Sequence, residues 1–113
     1  MRWRTLSIAA TVAWPLAAVP AGAQMTEPIL SDLEYLARQV AVCYATGQME
    51  FSQRVLHRRF VHDYLSGCRA TSRQQQRIEE SFLYARGSGT DCNPTRFFEV
   101  KEELQQARQR QRC

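Results

Sequence analysis

Lysine, histidine and tryptophan are scarce in this 113-residue chain, and each scarcity excludes something. Both tryptophans, Trp3 and Trp14, stand near the N-terminus, and Lys101 is the only lysine. The two histidines, His57 and His62, would lie about 140° apart around a helix, so one straight helix cannot bring both to a single metal ion. No C-x-x-C pair occurs, which removes a local zinc chelate, a thioredoxin-like redox motif and c-type haem attachment. G-x-S-x-G, P-loop and H-E-x-x-H strings are absent too. No segment reads as a convincing strand, and there is no internal repeat. No cofactor or metal site is expected.

The first 23 residues read as an export signal. Arg2 and Arg4 form a short basic start, Leu6 to Val19 is apolar apart from Ser7 and Thr11, and Ala21-Gly22-Ala23 is a small-residue cleavage site. The apolar stretch is shorter than the roughly 20 residues a membrane-spanning helix needs, and Pro15 and Pro20 interrupt it. The expected organisation is therefore a signal peptide over 1–23 and one helical domain over 24–113, with no transmembrane span in the mature chain. Losing Arg2 and Arg4 lowers the formal net charge from +4 to +2, so a general phosphate-binding argument is weak and no nucleic-acid partner is expected. Localisation in the periplasm or outside the cell follows.

Four cysteines remain in a short exported chain, Cys43, Cys68, Cys92 and Cys113, which reads as two disulfides. The helical pattern constrains their pairing. A first helix is expected over about 27–45, capped at Thr26 or by a Ser31-x-x-Glu34 box, with Ile29, Leu33, Leu36, Val40 and Tyr44 on one face. A second runs over about 50–66 with Phe51, Val55, Phe60, Val61, Tyr64 and Leu65 as its apolar side. Gly47 and Gly67 are expected to end these two helices at positive φ. A third opens at Thr71 or Ser72 with a Ser72-x-x-Gln75 box, carries Ile78, Phe82 and Ala85 inward, and stops before Gly87-Ser88-Gly89. The fourth starts at Asn93-Pro94 and turns Phe97, Val100, Leu104 and Ala107 inward. Short turns between such helices give an all-α, antiparallel four-helix bundle. A second helix roughly 25 Å long separates Cys43 from Cys68, while Cys43 and Cys92 share one end and Cys68 and Cys113 the other. The expected bridges are Cys43–Cys92 and Cys68–Cys113.

Candidate functional residues are few. Asp63 beside His62 points away from it on a helix, and His57, His62 and Asp63 are expected to be solvated. Glu99, Glu102 and Glu103 near the start of the last helix suit its macrodipole. Arg54, Arg58 and His62 form a basic stripe on the second helix, and Arg108 and Arg112 repeat the spacing on the last. Arg59 and Arg69 add to the basic density. A Glu50–Arg54 pair is expected to neutralise part of it. Tyr35, Tyr84, Phe98 and the loop from Arg86 to Asp91 offer a second possible surface.

The general plan, an export signal, a helical body and cysteines near helix ends, resembles that of small helical periplasmic proteins. These include the immunity proteins that neutralise cell-wall amidases delivered by type VI secretion. The resemblance is one of architecture and carries over no functional residue. Three functions are weighed. The leading expectation is a non-catalytic binding module with an envelope protein partner, in its sharpest form an inhibitor of an envelope or cell-wall enzyme. The second is a basic binder of anionic cell-wall polymer or lipid, and the third a small envelope enzyme. The leader generates the first test: intact-mass analysis of exported protein should give the mass of residues 24–113, without tryptophan fluorescence. A mass that retains Trp3 and Trp14 would refute the signal.

Overall fold

Apolar residues at three- and four-residue steps fold the chain into helices, the only regular structure among the described residues: α1 (Glu27–Ala45), α2 (Phe51–Gly67), α3 (Ser72–Phe82) and α4 (Pro94–Gln109). The computed structural model describes residues 24–84 and 91–113. The expected signal over 1–23, Ala85 and the Gly87-Ser88-Gly89 stop lie outside the described residues. None of the described helices is long and apolar enough to cross a membrane.

The helix starts are set by local chemistry. Glu50 and Gln53 form a reciprocal capping box on α2. On α3 the box is Thr71 with Gln74, one residue earlier than the expected Ser72 box. Asn93 Oδ1 accepts the Arg96 N–H at 3.1 Å, with Pro94 in the first turn of α4. α1 begins after Thr26, and Ser31 lies inside the helix, so the Ser31 box is not used. Thr26 instead turns to the far end of the chain, its N–H and Oγ1 both donating to the Cys113 carbonyl, at 2.6 and 3.2 Å.

Three helices end alike. The N–H two residues past the cap returns to a carbonyl five residues back: Gln48 to Cys43, Ala70 to Leu65 and Arg112 to Ala107. This termination places the intervening residue in the left-handed region. Gly47 (φ 77°) meets that demand on α1, but on α2 it falls to Arg69 (φ 55°) and on α4 to Gln111 (φ 59°). Gly67 is the last residue of α2 and not a positive-φ stop, correcting the sequence expectation. A Cβ there would lie 3.3 Å from the Arg108 guanidinium.

Packing centres on α1, which lies against each of the other three helices. It buries Leu30, Leu33, Leu36, Ala37, Gln39, Val40, Val42 and Cys43, more than one stripe, as a helix covered on several sides must. α3 brings Ile78 and Phe82 to it, and α4 brings Phe97, Val100 and Leu104. α2 buries only His57, Val61, Tyr64 and Leu65. Its first turns therefore leave Phe51 and Val55 exposed, and Tyr44 across from Phe51 is exposed too, all three against expectation. Arg77 on α3 ties that helix to α1 through Glu27 at 2.8 Å and Glu34 at 3.0 Å.

Two disulfides fasten the helix ends. Cys43 is bonded to Cys92 and Cys68 to Cys113, the pairs that helix length selects, and no described cysteine is free. With separations of 49 and 45 residues, each bridge contributes about 4 kcal/mol in the chain-entropy model. Beside the first bridge, the buried Gln39 amide grips the chain on both sides of Cys92. Its Nε2 donates to the Asp91 carbonyl at 2.8 Å, and its Oε1 accepts the Asn93 N–H at 2.7 Å.

The two glycines should now behave differently. Gly47→Val is expected to lower stability by about 1–2 kcal/mol through left-handed strain. Gly67→Val should stay within about 0.5 kcal/mol, because a helical backbone accepts valine and the exposed Arg108 can swing aside. Urea melts of both variants decide this, and equal losses would mean that Arg108 is fixed more firmly than its exposure implies.

Candidate functional site

The first turns of α2 and α4 bring together most of the chemistry at one end of the molecule. His57 is buried there, 8% exposed, contrary to the expected solvated role. Its ring stands edge-on to Phe97, centroids 4.8 Å apart, and to Phe98 at 5.9 Å. Lys101 Nζ lies 3.0 Å from His57 Nδ1. An ammonium has only donors, so Nδ1 accepts and the imidazole proton sits on Nε2. Burial, with the Lys101 charge second, pushes the His57 pKa down to about 4. Burial also lowers Lys101, which lies over the Phe60 ring at 5.1 Å. The chain's only lysine thus sits against a neutral imidazole. A cavity of about 90 Å³ beside them, lined by the Cys43–Cys92 bridge, Met49, Gln53, His57 and Phe98, has room for little more than water.

The basic stripe on α2 is largely engaged. Arg58 reaches Glu79 at 3.4 Å and lies over Phe82 at 4.3 Å. His62 meets the other Glu79 oxygen at 3.4 Å and stacks on the same ring. Arg54 pairs with no acid among the described residues, so the expected Glu50 contact does not form, and it covers the Tyr44 ring at 4.7 Å instead. Arg108 on α4 covers Tyr64 at 5.6 Å, whereas Arg112 lies past the end of α4, against the expected helical spacing, and its carbonyl accepts the Tyr64 hydroxyl at 2.9 Å. The two stripes face different neighbours.

Exposed apolar side chains do gather. Tyr44, Phe51, Val55, Leu56 and Phe98 are all at least 37% exposed, and all lie within a few turns of the Cys43–Cys92 bridge. Leu83, at the end of α3, is 79% exposed. Arg54 and Arg59 stand among them on α2. Of the other expected surface, Phe98 belongs to this group, Tyr35 packs against the core, and Tyr84 lies under Arg38 at 5.2 Å. Residues 86–90 of the expected loop lie outside the described residues. Glu99, Glu102 and Glu103 line a shallow acidic surface with Gln106, Glu99 paired to Arg96. Asp32 opposite them is raised by burial and then by the Glu103 charge. Among the described residues no group of three His, Cys, Asp or Glu could hold a metal ion.

Sequence reasoning missed the apolar group because Phe51, Val55 and Tyr44 have core spacing. The available signal was an imbalance: α2 carries large apolar residues around most of its first half, more than one buried face can hold. Compared with family models, curated proteins and solved structures, the chain matches none.

The His57–Lys101 contact generates a pH test. The folded pKa of about 4 lies below the ordinary 6.5, so the unfolded chain binds the proton first. Stability from this group is complete above pH 6.5 and falls as the pH drops toward 4, by on the order of 3 kcal/mol at most. Glu27 and Glu34, held low by Arg77 hydrogen bonds, add a further loss below their ordinary range. Urea midpoints across this window should fall for the wild type and stay flatter for His57→Gln. A wild-type midpoint that does not move between pH 6.5 and 4 would contradict the buried neutral imidazole.

Proposed function

We propose that this chain is a small exported, non-catalytic binding protein of the bacterial envelope, periplasmic or secreted after loss of residues 1–23. In this reading the four helices run alternately up and down, and the disulfides hold them rigid in an oxidising compartment. One observation carries the reading: exposed aromatic and aliphatic side chains collect at the Cys43–Cys92 end, with arginines among them. Apolar anchors beside arginine, rimmed by polar groups, are what protein interfaces are made of. The partner that fits is a protein surface with an apolar centre and an acidic rim to meet Arg54 and Arg59. Inhibition of an envelope or cell-wall enzyme is the sharpest form of this function, in keeping with the architectural resemblance to amidase immunity proteins.

The test compares the exported, oxidised protein with a Phe51→Ser, Leu56→Ser, Phe98→Ser variant as bait in periplasmic extract. All three side chains are more than half exposed, so the variant should remain folded, as far-UV circular dichroism can verify. The expected result is a partner that stays bound to the wild type at raised salt and is lost from the variant. A partner released by salt, or kept equally by the variant, would place binding on charge and not on this apolar end.

A further inference from the structure

The opposite end of the molecule carries a different chemistry. Arg69 follows Cys68 and Arg112 precedes Cys113, and the bridge holds those cysteine Cα atoms 5.6 Å apart, so two arginines flank one disulfide. Arg73 lies in the first turn of α3, and Arg108 and Arg110 belong to the end of α4. All five are exposed, and none forms an ion pair with a described residue. Of the acids near this end, Glu27 is taken by Arg77, which leaves Asp63 and Asp32, whose charge reaches Tyr64 in the cavity wall. Arg108, seated over Tyr64 and against Gly67, walls an open cavity of about 180 Å³ that Gln111, Arg112 and the bridge also line.

A second observation concerns the backbone. Arg69 (φ 55°) and Gln111 (φ 59°) occupy helix-ending positions that favour glycine; Gln111 lines this cavity, and Arg69 follows its lining residue Cys68. An arginine kept where glycine would be more comfortable points to a use for its side chain.

We infer that this end docks on the phosphate groups of an anionic phospholipid surface. Guanidinium groups pair with phosphate oxygens through two parallel hydrogen bonds, and Arg serves that geometry better than Lys. The charges are spread over three helix ends, with only Arg108 and Arg112 lining the cavity, which suits a plane of repeated headgroups more than one enclosed phosphate. The large exposed apolar side chains lie toward the other end, so the contact is peripheral and electrostatic. This inference does not depend on the protein-binding reading, and it leaves the apolar end of α2 facing away from the bilayer.

Vesicle co-sedimentation of the exported, oxidised protein tests it. Binding should appear with vesicles containing about a third phosphatidylglycerol, be absent with pure phosphatidylcholine, and weaken about tenfold between roughly 50 and 300 mM NaCl. Arg69→Gly combined with Arg112→Gln should weaken it about tenfold at low salt. Arg54→Gln with Arg59→Gln, which removes equal charge from the other end, should change it less than about twofold. Arg69→Gly alone should melt in urea at the same midpoint or higher. Equal binding to neutral vesicles, an equal loss in the Arg54/Arg59 variant, or full displacement by millimolar inorganic phosphate would each overturn the inference. So would a lowered melt for Arg69→Gly, which would mean that Arg69 is kept for the fold.

Discussion

Everything in this molecule leans on α1. A short chain has little apolar surface to hide, and concentrating burial on one helix uses it efficiently. Leu33, Ala37 and Val40 are wholly shielded because three other helices converge on them. The arrangement leaves the outer helices with weak mutual contact. Long side chains bridge the gaps: Arg58 and His62 to Glu79 and Phe82 on one flank, Lys101 and Phe97 to His57 on the other.

The same economy explains the arginines. Arg54, Arg58 and Arg108 each lie over an aromatic ring, so a charged side chain covers apolar surface that a larger core would enclose. Basic residues that look like a stripe in sequence are divided among these tasks. What is left over differs by end: apolar groups near the first bridge, uncompensated guanidinium groups near the second.

The helices were legible because each carries its own local signals. Asn93-Pro94 and the Thr71 region mark starts, and Phe97, Val100 and Leu104 keep strict helical spacing. The bridges followed from helix length and the expectation that helices joined by short turns run antiparallel. What could not be read is which face each helix turns inward when apolar residues exceed the buried area. Val55 and Tyr64 share α2 and belong to the same expected face, yet one is exposed and the other buried. His57 was hidden for the converse reason, since its neighbours Leu56 and Arg58 gave no sign that Phe97 and Lys101 would arrive beside it. Gly67 misled because a glycine near a helix end looks like a left-handed stop, whereas the positive φ falls two residues later, on Arg69.

The Gln39 amide has a kinetic side. By holding the carbonyl before Cys92 and the amide after it, this side chain fixes the cysteine opposite Cys43 with bonds that do not involve sulfur. Neither hydrogen bond needs the bridge, so in the folded chain both oppose separation of Cys92 from Cys43 if the disulfide is reduced. Oxidation then joins two groups at high effective concentration instead of waiting on a search by a long loop.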